Sequence, residues 1–317
     1  MTEFAPLFRD IITGYLQFLQ EGGDPVHLEP KPRRHLDGGY VHCSALFDCP
    51  KYESEARRNV PAKFPHLLNV NQPTALLRML QGNKVAEIFQ ESLVWKAEQG
   101  HISAWVEDYF LNEPLRLQGQ IDAWMSAPER IGFDVIEFKH RLPGWKDKGI
   151  AQPRLGDVFQ LFAYMHDNNP QGTNPRMDNG HLVIVDTPAW KNYLDPEAGY
   201  EVWSLVPHGE GYQLVSERGY TWDHPFNNGD FINDETLKGE IQRHLNYMEN
   251  TELPPPVNLA DPAEAWRCRD VKYYPKNGNP GVMTPRCAYW CHTEEVPEEG
   301  LKYLVNGNDE VEFVWEF

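Results

Sequence analysis

The charged residues most suggestive of chemistry lie inside an otherwise apolar run, FDVIEFKHR at residues 133–141. Glu137 and Lys139 alternate there with Ile136 and Phe138, so in a β-strand the charged pair projects from one face and the apolar pair from the other. Charged side chains are seldom buried without a partner. The pattern therefore indicates either an ion pair at the end of a strand or two groups that serve a reaction.

A third charged residue, Asp122, lies in a second strand-like run, LRLQGQIDAWM at 115–125. The segment up to Glu137 is long enough for a turn between two neighbouring strands, so we expect Asp122 and Glu137 to meet beside Lys139. Carboxylate oxygens suit a hard cation such as Mg²⁺ or Mn²⁺. A lysine beside the ion can orient a water and offset the charge of a phosphate, which is the chemistry of phosphodiester hydrolysis.

The stretch LGDVFQLFAYMHD, residues 155–167, has the apolar spacing of a helix. Gln160 and Tyr164 are four residues apart and so share one face of that helix. Taken alone, they are as well explained by a solvated amide and a half-buried aromatic ring. In chain order, however, GQID, VIEFK and QLFAY form a set of three motifs.

This set resembles the motifs of the RecB-type branch of the PD-(D/E)xK nucleases, which includes the nuclease domains of RecB and AddB and the CRISPR-associated exonucleases. The resemblance extends over about residues 40–295. The site residues that it implies are Asp122, Glu137 and the backbone carbonyl of Phe138 as metal ligands, Lys139 as the catalytic lysine, and Gln160 and Tyr164 as the pair that contacts DNA.

One motif departs from the family pattern. The family has a helical G-x-x-x-H, whose histidine is a metal ligand, and here GNKVAE at 82–87 has Ala86 in that place. We take Glu87, the next residue, as the replacement metal ligand. Glu91, one helical turn later, is the other candidate, and a solvated helix face is the alternative for both.

The chain has five cysteines, and an odd number argues against a disulfide framework. Several family members hold a 4Fe-4S cluster with one cysteine before the nuclease core and three after it. The stretch CSALFDCPKY resembles the first of these elements. The ligands implied are Cys49, Cys268, Cys287 and Cys291.

The residues alone leave the cysteines open to other interpretations. Zn²⁺ could be held by the four thiolates, or by three of them with His292. Buried thiols without a metal are a further possibility. Cys43 is close enough in sequence to Cys49 to replace it as a ligand.

Between Phe138 and Gly156 there are five basic side chains against one acid. A basic groove with an aromatic residue is typical of single-strand binding, where bases stack and phosphates follow the cations. The predicted DNA-binding residues are Arg141, Trp145, Lys146, Lys148 and Arg154.

The formal net charge of −18 opposes non-specific adhesion to nucleic acid. No apolar stretch approaches the roughly 18 residues that a membrane span needs, and the first residues include acids where a signal peptide would be basic. We expect a cytoplasmic protein, bacterial or phage-encoded, that binds DNA and no membrane.

Helical periodicity at 5–20, 74–98, 155–167 and 234–250, with strand-like runs between them, predicts an α/β fold. The resemblance implies a restriction-endonuclease-like central mixed β-sheet flanked by helices. We divide the chain into an N-terminal helical region at 1–100, a nuclease core at 101–252 and a C-terminal cysteine-bearing segment at 253–317. The metal cluster would join the last segment to the first, making one compact unit.

The expected function is a Mg²⁺- or Mn²⁺-dependent deoxyribonuclease, an exonuclease on single-stranded DNA that carries a 4Fe-4S cluster. Two alternatives stay open. One is a catalytically inactive nucleic-acid-binding or structural module of the same fold. The other is an iron-free endonuclease or lambda-type exonuclease, with zinc or only packing contacts at the cysteines.

Overall fold

The computed structural model describes residues 4–28, 39–50, 54, 73–128, 132–141, 152–166, 179–186, 200–222, 224 and 227–250, and the strands at 269–271, 281–285, 301–305 and 311–314. Of residues 73–79, Arg141 and the four last strands, only the backbone is described. The chain divides into two compact units. One comprises Met1–Asp48 with Met79–Leu245, and the other Cys49–Arg78 with Asn246–Phe317.

The described helices have the spacing and length that the apolar periodicity predicts. They are α1 (Phe4–Gln20), α2 (Pro73–Glu98), α3 (Leu155–Met165) and α4 (Asp234–Glu249). A single 3₁₀ turn spans Cys43–Ala45. Helix α2 continues without a break through Gly82, where an added Cβ would come within 3.2 Å of the His140 Cβ. The glycine therefore lets the helix pass close to a strand end.

Seven strands of the first unit form one sheet. They are β1 (Val41–His42), β2 (Ser103–Asn112), β3 (Leu117–Ser126), β4 (Asp134–Arg141), β5 (Asn179–Asp186), β6 (Tyr200–His208) and β7 (Gly211–Ser216). The order is β1-β3-β4-β5-β6-β7, with β2 paired to β3. The pairs β1/β3 and β4/β5 are parallel and the others antiparallel. The fold is thus α/β with a mixed sheet flanked by helices, as predicted.

One face of the sheet packs on α1 and α2. Ile136 and Phe138 of β4 lie there in one buried cluster with residues of both helices, including Phe8 and Phe89. Glu137 lies between them in the sequence and faces away from this cluster, because side chains alternate along a strand. The arrangement leaves Glu137 and Lys139 on the side of the sheet where α3 lies.

Three buried polar residues connect neighbouring strands within the core. His181 of β5 is 3.1 Å from Asp134 Oδ1 of β4 and 2.8 Å from Ser204 Oγ of β6, and its ring stacks on Phe4 at 3.7 Å. The three residue types are those of a hydrolytic triad. All three are buried, so the group links β4, β5 and β6 inside the core.

In the second unit a four-stranded antiparallel sheet has the order β11-β10-β9-β8. Its strands are β8 (Arg269–Val271), β9 (Gly281–Pro285), β10 (Leu301–Val305) and β11 (Val311–Val314). β10 and β11 pair antiparallel, with Val305 opposite Val311. Within the described ranges, no helix combines the length and apolar character that a bilayer crossing requires.

Candidate active site

The site forms where β3 and β4 part. The two strands pair from Met125↔Asp134 to Ala123↔Ile136. Beyond this pair a side chain replaces the backbone partner: the Oδ2 of Asp122 accepts a hydrogen bond from the backbone N–H of Phe138 at 2.7 Å. Asp122 therefore satisfies a backbone donor that strand pairing would otherwise satisfy, and a gap opens in the sheet beside it.

Lys139 and Gln160 clamp the carboxylate of Glu137 in this gap. Lys139 Nζ donates to Glu137 Oε1 at 2.6 Å and to Gln160 Oε1 at 3.0 Å. Gln160 Nε2 donates to the same Glu137 oxygen at 2.8 Å. The amide thus holds the lysine and the glutamate with its two ends, and all three groups have defined positions.

Tyr164 closes the gap from helix α3. Its hydroxyl accepts from Gln160 Nε2 at 3.2 Å and donates to the backbone carbonyl of Gln120 at 2.9 Å. A Cβ at Gly119 would lie 2.7 Å from the Tyr164 ring and hydroxyl. The glycine of the GQID motif is therefore required by the tyrosine of the QLFAY motif. Gln120 was not among the predicted site residues, and its carbonyl is part of this network.

Burial and mutual repulsion act on the two carboxyl groups together. Burial raises the pKa of Glu137 to about 8, and the negative charge of Asp122 adds to the effect while Lys139 opposes it. Burial also raises the pKa of Asp122, to about 6, against the opposing effects of Lys139 and the Phe138 N–H. The two carboxyl groups thus lie near enough for each to act on the pKa of the other. Protonation of one of them relieves this repulsion in the metal-free protein.

Lys139 and Tyr164 keep their protons. Burial lowers the pKa of Lys139, but the carboxylates of Glu137, Asp157 and Asp122 outweigh burial and raise it above its ordinary value. Burial raises the pKa of Tyr164 well above its ordinary value, and the charge of Glu137 adds to this. The site therefore presents a charged ammonium and a neutral hydroxyl at neutral pH.

The donor set fits a divalent cation. Glu137 is 2% exposed, and its Oε2 has no hydrogen-bond partner among the described residues. A buried, unpartnered carboxylate oxygen beside a second carboxylate is the environment that a bound cation relieves. Among the described residues, no three His, Cys, Asp or Glu side chains already surround a common point as ligands would. Asp122 and Glu137 are the two that could hold the ion here.

The two helical candidates, Glu87 and Glu91, bond to other residues. Glu87 is 42% exposed and pairs with Lys84 at 2.7 Å, and Glu91 accepts from the Tyr15 hydroxyl at 2.8 Å. Successive helical residues are rotated by about 100°, so these side chains leave α2 in directions other than that of Ala86. Ala86, half-buried, packs against the apolar cluster.

Two residues that the motifs do not mark lie next to Asp122. Gln90 of α2 is buried, and its Nε2 donates to the Asp122 carbonyl at 3.0 Å and to Glu107 Oε1 at 2.7 Å. Glu107 of β2 raises the pKa of Asp122 through its charge. The helical spacing from Ala86 to Gln90 is the one signal in the sequence that points to this face.

The remaining predicted residues are only partly described. Arg154 is exposed at the N-terminal end of α3, where its backbone N–H donates to Asp157 Oδ2 at 3.0 Å. Arg141 ends β4. Cys49 is half-buried and Cys43 is buried. The residues outside the described ranges are Trp145, Lys146, Lys148, Cys268, Cys287, Cys291 and His292.

The chain has few matches among known proteins. No protein-family model matches the chain, and no curated protein matches it. One solved structure that resembles it is titled "Crystal structure of SSO0001", with 14% sequence identity over 81% of this chain and 95% of that one. The TM-score is 0.35, which is too low to support any argument about this protein.

Proposed function

We propose that this protein is a metal-dependent DNA nuclease of the restriction-endonuclease-like, RecB-type class that acts on single-stranded ends. The observation that carries the proposal is that the half-buried Asp122 and the buried Glu137 act on each other beside the fixed ammonium of Lys139. The predicted motif residues Gln160 and Tyr164 belong to the same hydrogen-bonded network.

Asp122, Glu137 and the Phe138 carbonyl would hold Mg²⁺ or Mn²⁺. The ion would supply Lewis acidity toward a phosphoryl oxygen and a more acidic water. Lys139, charged and held by Gln160, offers its ammonium to the negative charge of the phosphate. The protonated Tyr164 hydroxyl donates to the Gln120 carbonyl and accepts from Gln160, and so keeps Gln160, and through it Lys139, in place.

DNA would approach along the N-terminal end of α3. Arg154 is exposed there and lies six residues before Gln160, which is about 9 Å along a helix. That distance suits contact with a phosphate next to the one being cleaved. The proposed groove also includes Arg141, Trp145, Lys146 and Lys148, whose composition is that of a single-strand binding surface.

The test is degradation of end-labelled single-stranded DNA with Mg²⁺, Mn²⁺ or EDTA. We expect cleavage with either metal, none with EDTA, and a loss of about 10²–10³-fold in Lys139→Ala. Lys84→Ala is the matched control, because Lys84 pairs with Glu87 on the exposed side of α2. DNA binding without cleavage by the wild-type protein would support the inactive module instead.

We further propose a 4Fe-4S cluster on Cys49, Cys268, Cys287 and Cys291. Cys49 belongs to the same compact unit as strands β8 and β9. The register pairs Arg269 with Pro285, so Cys268 and Cys287 adjoin the same end of that strand pair in the sequence. Four thiolates are the ligand set that such a cluster needs.

The cluster is tested by the absorption spectrum of anaerobically purified protein. We expect a broad band at about 400 nm that is lost in Cys49→Ser and kept in Cys43→Ser. Cys43 is the matched control, since it lies in the other unit. Stoichiometric zinc without colour would contradict the cluster and favour the iron-free alternative.

A further inference from the structure

Two tryptophans stack on each other at the edge of the sheet. Trp105 of β2 pairs with Trp124 of β3, and their ring centroids lie 3.8 Å apart at an interplanar angle of 14°. Phe133, just before β4, meets Trp124 edge-on at 5.3 Å. Trp124 is therefore enclosed and only 6% exposed, whereas Trp105 is 40% exposed. Because Trp124 covers one face of the Trp105 ring, the exposed surface of Trp105 includes its other face.

This tryptophan pair lies on the same face of the sheet as Glu137. Ala123 and Met125 belong to the apolar cluster with α1 and α2, so Trp124 between them faces the side where α3 lies. The register sets Trp124 opposite Val135, two residues before Glu137. Diagonal neighbours of this kind are about 7–8 Å apart. The pair is thus next to the candidate cation site and leads from it to the edge of the sheet.

A distortion of β2 helps to fix the ring of Trp124. Residues three apart in a strand project to opposite faces, yet Trp105 stacks on Trp124 and Asp108 Oδ2 accepts from its indole N–H at 3.1 Å. Between these two residues Glu107 has a φ of +51°, in the left-handed region, which interrupts the alternation. Such a backbone persists only where its surroundings hold it, and buried Gln90 donates to the Glu107 carboxylate at 2.7 Å.

We propose that Trp105, supported by Trp124, is a platform on which an unpaired base of the DNA strand stacks beside the scissile phosphate. Flat aromatic rings with a free face bind the bases of single strands in this way. The carboxylate of Asp108 repels a phosphate at this place but not a neutral base. Bases in a duplex are already paired and stacked, so the platform favours unpaired ends. This inference rests on the proposed function, whose substrate it specifies.

The test is the binding of a labelled single-stranded oligonucleotide to the full-length protein, followed by fluorescence anisotropy with Ca²⁺ in place of Mg²⁺ and with the strand checked for cleavage. We expect Trp105→Ala to weaken binding about 5–100-fold, and Trp105→Phe, which keeps an aromatic face, to weaken it less. Tyr220→Ala is the matched control, because Tyr220 is an exposed aromatic residue after β7, at the opposite end of the sheet. It should bind as wild type does.

Oligonucleotides with one base removed separate stacking from a merely structural role, because a cross-strand tryptophan pair also stabilises a sheet. Wild type should lose affinity when the base at one position is missing, and Trp105→Ala should show no further loss there, since both changes remove the same contact. Independent, additive losses, or unchanged affinity in Trp105→Ala, would overturn this inference alone if wild type degrades single-stranded DNA. A wild-type protein that neither binds nor degrades it would overturn the proposed function as well.

Discussion

The carboxyl groups of Asp122 and Glu137 lie near enough for the charge of Asp122 to raise the pKa of Glu137, and a proton or a cation relieves this repulsion. Lys139 does not remove this repulsion, because its ammonium bonds to Glu137 Oε1 and leaves Oε2 unpartnered among the described residues. This arrangement lowers the stability of the folded protein, as is typical of residues that serve a function.

Replacing Glu137 by glutamine should stabilise the metal-free protein at pH 8. The folded-state pKa of Glu137 is raised to about 8, whereas an unfolded glutamate titrates near 4.5. A raised pKa contributes stability that is complete below about 4.5 and is lost as pH rises through about 8. Glutamine mimics the protonated form and escapes this loss.

Thermal melts in EDTA between pH 4.5 and pH 8 check this prediction. Glu137→Gln should melt a few degrees above wild type at pH 8, and the gap should narrow as pH falls. Glu113→Gln, an exposed position, should show no gap at any pH. Equal melting temperatures at pH 8 would mean that Glu137 is not destabilised by burial and by Asp122.

Among the elements, β3 and helix α3 depend on each other. β3 pairs with β2 along one edge, while on its other edge β1 pairs at Leu117 and Gln118 and β4 only from Ala123. Between these two pairings β3 is bonded to helix α3, because the Tyr164 hydroxyl donates to the Gln120 carbonyl. The backbone of the gap is thus satisfied by a side chain of a helix.

Gly119→Ala should break this fit. The new Cβ would lie 2.7 Å from Tyr164, so the ring must move and Gln160 loses its neighbour. We expect a destabilisation of about 1–3 kcal/mol and a loss of DNA hydrolysis. Gly239→Ala on α4 is the control, because nothing lies within 4 Å of its Cβ and alanine favours helix. Denaturant unfolding and the nuclease assay measure both; unchanged stability in Gly119→Ala would contradict the fit.

The elements and part of the site follow from local patterns. Alternation in VIEFK is enough to separate Glu137 and Lys139 from Ile136 and Phe138, and a four-residue spacing aligns Gln160 with Tyr164. Glu107 could not be found in this way. Its left-handed φ depends on hydrogen bonds from other segments, and a short pattern carries no record of them. Likewise, Glu87 follows Ala86 by one residue on α2, and the rotation of about 100° per helical residue turns its side chain in another direction.

Across the first unit as a whole, Glu240 joins segments far apart in sequence. Its Oε1 accepts from the backbone N–H of Phe47, and it bonds to Arg243 and His244 on its own helix. Burial opposes ionisation of Glu240, but the hydrogen bonds from His244 and Arg243 prevail and lower its pKa to about 2. A lowered carboxyl pKa contributes stability above about 4.5 that is lost as pH falls through about 2.

Glu240→Gln should therefore destabilise the protein at pH 7 by about 2 kcal/mol and have a smaller effect near pH 3. Urea unfolding at the two pH values measures the difference. Glu210→Gln, in the exposed turn between β6 and β7, is the control and should be neutral at both. An effect of Glu240→Gln that stays the same size at pH 3 would show that its charge is not what stabilises the contact.

The most direct test of the whole account is a crystal of the protein soaked in Mn²⁺ and measured for anomalous scattering at the manganese edge. We expect a peak within about 2.5 Å of an oxygen of both Asp122 and Glu137. A map without a peak there, with Lys139 Nζ still bonded to Glu137, would contradict it.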